Sequence, residues 1–170
     1  MPTIGVAIPV PEPWGSELRE RRADFGDPQA ALIPTHVTLL PPTAVDEADL
    51  EALHAKLAVD ATAADPFMMR LRGTGTFRPV SPVVFVAVSE GISSTELLAK
   101  HIRAGLIDER DLAFPFHPHV TVAHHLDDAA LDLAYASLAD FACEFEVRAF
   151  AVYLHDDEAG WVPYMEFQLG

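Results

Sequence analysis

His36-Val37-Thr38-Leu39 recurs as His119-Val120-Thr121-Val122 about half of the 170-residue chain later. With 8 histidines in the chain, a His-x-Thr arises by chance roughly 0.4 times, and one flanked by apolar residues roughly 0.1 times. Two such matches point to a functional pair, and their residue types suit one kind of chemistry. Imidazole, with an ordinary pKa of about 6.5, takes or gives a proton near neutral pH. Two imidazoles on opposite sides of a phosphorus permit in-line displacement at a phosphate ester, one acting as base and the other as acid. Hydroxyls beside them donate hydrogen bonds to the non-bridging oxygens, where charge gathers in the transition state. His36 and His119 are therefore the candidate acid–base pair, and Thr38 and Thr121 the candidate phosphate-binding pair. The quartet asks for no metal and no cofactor.

Strands must position these side chains. Successive strand residues face opposite ways, so His36 and Thr38 share one face while Val37 and Leu39 bury the other. His119 and Thr121, backed by Val120 and Val122, repeat the arrangement. The remaining pattern predicts strands over 3–10, 33–40, 67–71, 83–88, 116–123, 144–154 and 164–169. Helices are expected over 16–25, 46–59 (with Leu50, Leu53 and Leu57 as its apolar stripe) and 128–138. Ser93-Ser94-Thr95-Glu96 reads as a capping box opening a further helix to Ile107, and Gly73-Thr74-Gly75 as a turn. Each half thus has a His-x-Thr strand, an amphipathic helix and two strands, with extra helices near Ser16 and Thr95. The expected class is α+β: residues 1–170 form a single domain of two pseudo-symmetric lobes. Two mostly antiparallel sheets are related by a pseudo-two-fold, with helices outside, a central cleft, and one His-x-Thr strand from each lobe.

Composition limits the ligand. The formal charge of −15 argues against a long nucleic-acid duplex, whose binding rests on neutralised phosphates, but leaves room for a small phosphorylated ligand. Arg72 and Arg78, with Arg70, flank the glycine turn and are candidates to steer a phosphate. Phe77 and Phe116 are candidates to stack on a nucleobase, and Tyr153 and Tyr164 to reach the cleft floor. In strict alternation His117, His119 and His125 share a face but spread too far to converge on one metal ion; His54, His101 and His155 read as solvated. The single Cys143, a start at Met1-Pro2-Thr3 without a basic leader, and no apolar run of the ~20 residues a membrane helix needs predict a cytoplasmic protein. It is expected to be a monomer without membrane contact.

The motif His36-Val37-Thr38-Leu39 and the run Pro115-Phe116-His117-Pro118-His119-Val120-Thr121-Val122 resemble the paired signatures of the 2H phosphoesterases, specifically the bacterial 2′-5′ RNA ligase and cyclic phosphodiesterase group. Gly75-Thr76-Phe77, Val152-Tyr153-Leu154 and Tyr164 extend the likeness along nearly the whole chain. The resemblance implies a bilobal fold with a water-filled cleft and metal-independent opening of 2′,3′-cyclic phosphates on nucleotides or RNA ends. Several relatives carry Arg or Lys three residues after the second threonine. Here that position is His124, a candidate substrate-binding residue whose charge titrates. Two alternatives stand beside hydrolysis: a non-catalytic nucleotide- or RNA-end-binding module, suggested by His124 and the acidic surface, and 2′-5′ RNA ligation, against which the chain lacks an extended basic track.

Overall fold

Among residues 1–112 and 115–170, which the computed structural model describes, eight strands form two four-stranded antiparallel sheets. The elements in chain order are β1 (Thr3–Pro9), α1 (Trp14–Asp24), β2 (His36–Ala44), α2 (Leu50–Thr62), β3 (Phe67–Thr76), β4 (Val83–Glu90), α3 (Ile92–Arg103), β5 (His119–His124), α4 (Asp128–Ser137), β6 (Ala142–Val147), β7 (Ala149–Asp156) and β8 (Gly160–Gln168). The sheet orders are β2-β1-β7-β8 and β5-β4-β3-β6, so each His-x-Thr strand is an edge strand. One hydrophobic core runs through both lobes, from Ile4, Val37 and Phe150 to Val86, Val120 and Leu131. The α+β class with two antiparallel sheets is as expected.

The repeat is framed differently from the expected one. Each His-x-Thr strand pairs antiparallel with the strand that precedes it across a helix: β1-α1-β2 in one lobe and β4-α3-β5 in the other. The helices near Ser16 and Thr95 are therefore members of the repeat and not additions to it. After β2 the next strand, β3, lies in the other sheet; after β5 the chain first adds β6 beside β3 in the same sheet and then crosses over as β7. β3 pairs with β4, and β7 pairs with β1, so the lobes are interlocked.

Three local expectations are corrected. The single strand over 144–154 is two, because the chain passes from one sheet to the other at Arg148, between β6 and β7. Gly73-Thr74-Gly75 lies inside β3, where a bulge after Leu71 absorbs the irregularity. The capping box at Ser93 is not used: α3 starts after Gly91, whose φ of 92° suits glycine, and the buried Thr95 hydroxyl donates to the Gly91 carbonyl at 2.6 Å. α3 ends at Arg103, and β5 begins only at His119, since Pro118 has no N–H to offer a ladder.

Candidate active site

Both motif histidines are held in the same way. His36 Nδ1 lies 2.6 Å from the Pro34 carbonyl and His119 Nδ1 lies 2.7 Å from the His117 carbonyl, each two residues upstream. A carbonyl only accepts, so Nδ1 carries the proton and the neutral ring keeps its lone pair on Nε2. The Thr38 hydroxyl donates to His36 Nε2 across 3.1 Å. His36, Thr38, His119 and Thr121 are all half-buried, while Val37, Leu39, Val120 and Val122 are fully buried behind them.

The two strands share a further feature that alternation alone does not supply. In β2 the pairing runs from Ala7–Thr38 to Val6–Leu40, leaving Leu39 as a bulge; in β5 it runs from Phe85–Thr121 to Val84–Ala123, leaving Val122. Two consecutive residues then bury, and the third after the threonine, Pro41 or His124, is again partly exposed. That puts His124 on the same strand face as His119 and Thr121, whereas strict alternation selects His125. His125 turns away at φ 56°, and its ring stacks on His124 with centroids 3.7 Å apart. Among the described residues, no three His, Cys, Asp or Glu side chains gather as a metal site would need.

Burial pushes both motif imidazoles below the ordinary histidine range. The Pro34 and His117 carbonyls oppose this shift. Positive charge on Arg22 adds to it at His36, and positive charge on His117 and His36 adds to it at His119. His36 and His119 thus lie close enough for charge on His36 to bear on His119. Both C2–H resonances are expected to titrate in NMR with midpoints below about 6.5; a midpoint at or above that value for either ring would contradict the burial argument.

Two buried arginines fix the bulged strands from across the lobes. Arg22 of α1 donates from Nε to Asp27 Oδ2 at 2.7 Å, and the same oxygen accepts from the His124 backbone N–H in β5 at 3.1 Å. Arg103 of α3 donates from Nε at 2.7 Å to the carbonyl of Leu39, the bulged residue of β2. Each lobe's helix thus holds the other lobe's His-x-Thr strand. The only sequence signal was an arginine near the end of each of two equivalent helices.

The other candidates separate. Phe77 meets the His119 ring edge-on with centroids 5.0 Å apart. Phe116 instead lies under the Arg103 guanidinium at 4.5 Å and packs on the core. Arg78 is tied to Asp128 and Asp132 of α4 at 3.7 and 2.8 Å. Arg72 is exposed and, among the described residues, has no ion pair; because Leu71 pairs with Val88 on the buried face, Arg72 belongs to the open one. Tyr164 does not reach the cleft: its ring packs on His54 of α2, 5.3 Å away, and His54 Nε2 is itself sealed from solvent. On the His36 side the aromatic residues are Tyr153 and Trp161. They line a cavity of about 180 Å³ together with His36, Thr38 and Leu40.

A family described as the 2′-5′ RNA ligase superfamily matches residues 9–159. A Bacillus cytotoxicus protein with the provisional name of phosphoesterase is 32% identical over 146 residues, 85% of this chain and 84% of its own. A Bacillus anthracis protein with the same provisional name is 30% identical over the same coverage. Among solved structures, a Thermus thermophilus protein superposes with a TM-score of 0.70 at 25% identity over 99% of this chain and 98% of its own. E. coli LigT bound to NADP+ superposes with a TM-score of 0.70 at 21% identity over 99% of each chain; it has also been solved with 3′-AMP and with ATP.

Proposed function

We propose that this chain, which belongs to the 2′-5′ RNA ligase superfamily, is a phosphoesterase that opens 2′,3′-cyclic phosphates of nucleotides or RNA ends. The observation that carries the reading is the matched pair of imidazoles. Each is anchored through Nδ1 on an equivalent bulged strand, which reserves Nε2 as the proton-accepting atom; at His36 that atom accepts from the Thr38 hydroxyl. The nucleotides bound by E. coli LigT support a small nucleotide as the ligand.

In this mechanism one of His36 and His119 accepts a proton at Nε2 from a water molecule, whose oxygen attacks phosphorus. The P–O bond to one ribose oxygen breaks, and the other imidazole, entering protonated, gives its proton to that oxygen. A nucleoside monophosphate leaves. The Thr38 and Thr121 hydroxyls hold the non-bridging oxygens, where charge rises, and His124 stands on the same face to pair with the phosphate when protonated. Bound phosphate favours the imidazolium that burial disfavours, so the acid is charged in the complex. No step calls on a metal or a cofactor.

Both motifs come from one chain, so a monomer suffices. The charge of −15 disfavours long duplex partners. Among the described residues, no helix is long and apolar enough to cross a membrane. Cys143 is unpaired and buried, its thiol pushed up by that burial to about 11, which fits a reducing cytoplasm.

Turnover of 2′,3′-cyclic nucleotides in the presence of a chelator tests the proposal. The expected result is a single monophosphate product at a rate that metal removal leaves unchanged. Tight nucleotide binding with no product between about pH 5 and 8, where histidine titrates, would assign the chain to the binding-module reading. Abolition by the chelator would refute the two-histidine mechanism. RNA joining, if it occurs, requires RNA affinity that falls steeply with salt.

A further inference from the structure

The two halves of the cleft match in backbone and differ in their floors. Opposite Thr38 in β1 stands Ala7; opposite Thr121 in β4, at the same register, stands Phe85. Farther into each sheet, Ala7 faces Ala151, whereas Phe85 faces Gly75. The Phe85 ring lies so close over Gly75 that a Cβ there would sit 2.5 Å from it. Together with Phe77, 4.6 Å away, it fills the floor below His119, whose ring lies 5.0 and 5.3 Å from the two.

Below His36 the floor is open. Gly5 and Ala7 carry no bulk, and the indole of Trp161 lies along β1, 3.4 Å from where a Gly5 Cβ would be. The resulting cavity is lined by His36 and Thr38 together with Ile33, Leu40, Tyr153 and Trp161. Apart from His36, Thr38, the Tyr153 hydroxyl and the Trp161 indole N–H, its side chains are apolar. Tyr153 is buried and Trp161 half-buried.

We propose that this cavity seats the base of a nucleotide, so that the pseudo-symmetric cleft takes its substrate in one orientation. The base lies on the His36 side, and Ala7 is the residue that keeps the seat open. The inference rests on the phosphoesterase reading and adds the substrate class and its direction. An apolar slot with two aromatic walls suits a flat ring whose charged phosphate stays outside. Stacking on such walls raises affinity by about 5- to 150-fold per base and tolerates different bases.

Ala7→Phe copies the Phe85 plug into the open half. The quantity to measure is the ratio of kcat/KM for a 2′,3′-cyclic nucleotide to that for a base-free five-membered cyclic phosphate of a simple diol. The expected result is a fall in this ratio of at least tenfold, carried by KM; an unchanged ratio would overturn the proposal. If the thermal melt shows that Ala7→Phe does not fold, Trp161→Ala is read by the same ratio with the same two outcomes. A second measurement needs no turnover. Adenosine is expected to quench the Trp161 fluorescence of the wild type saturably, with Trp161→Phe as the control that retains only Trp14. If the wild type turns over neither ester, the phosphoesterase reading fails, and the quenching decides the base seat by itself. Absence of saturable quenching overturns the seat whatever the catalytic result.

Discussion

His36→Ala and His119→Ala are each expected to lower kcat/KM on a 2′,3′-cyclic nucleotide by about 10²- to 10⁴-fold, the usual worth of a positioned acid or base. The fold should survive both changes. Each imidazole is half-buried on an edge strand, while Val37, Leu39, Val120 and Val122 hold the strands from the fully buried side. The double variant is expected to lose far less than the product of the two factors, because base and acid serve one displacement and lose their use together. The pH profile adds a sign. The plot of kcat/KM reports the free enzyme, and burial pushes both imidazoles below their ordinary value. The acid form is therefore already scarce at pH ~7, and kcat/KM should be falling there with rising pH. Removing the base erases the acidic limb and removing the acid erases the basic limb, so the two single variants identify which histidine has which role. Wild-type kcat/KM in either variant would refute the mechanism.

The common face of each motif was legible in the sequence because strand alternation alone puts a histidine and a threonine on one side of each repeated strand. Positions that needed more than alternation were not legible in this way: alternation put His125 on the His119 face, and only the family resemblance singled out His124. Leu39-Leu40 and Val122-Ala123 are pairs of adjacent apolar residues that interrupt a period of two. That interruption is the signal for the bulge that brings His124 back to the cleft and sends His125 out of it. Tyr164 was expected at the cleft floor, but pairing places Pro163 opposite Tyr153 on the open face and sends Tyr164 to α2. The crossing at Arg148 was hidden because the residues on either side of it form one continuous β-prone run. Ala7 carried no signal at all. Its meaning comes from sharing a register with Phe85, and neither pairing partner can be read from a single chain.

Arg22→Ala is expected to destabilise the protein by about 3–5 kcal/mol, the cost of leaving a buried charge without its partner. Asp27 has no side-chain exposure. Without Arg22 its carboxylate keeps only the backbone donors of Gln29, at 2.9 Å, and His124, at 3.1 Å. For a chain of this size the loss lowers Tm by roughly 6–20 °C, readable in a thermal melt. Arg110, exposed and paired with Asp108 at 2.6 Å, is the contrast: Arg110→Ala should leave Tm unchanged, because water and salt already screen that pair. The double variant Arg22→Met with Asp27→Asn should recover part of the loss, since it removes the unpaired buried charge while a side-chain oxygen remains to accept from the Gln29 or His124 backbone N–H. Stability and electrostatics then separate. The Arg22 charge holds the His36 pKa down, so removing it moves the His36 midpoint upward in both the single and the double variant. The basic limb of kcat/KM follows if His36 is the acid, and the acidic limb if it is the base. A partly recovered Tm with a His36 midpoint that remains high would show that the arginine acts on the site through its charge as well as through the strand it pins. An Arg22→Ala variant that melts with the wild type would show that the cross-lobe pair is not what holds β5 in place.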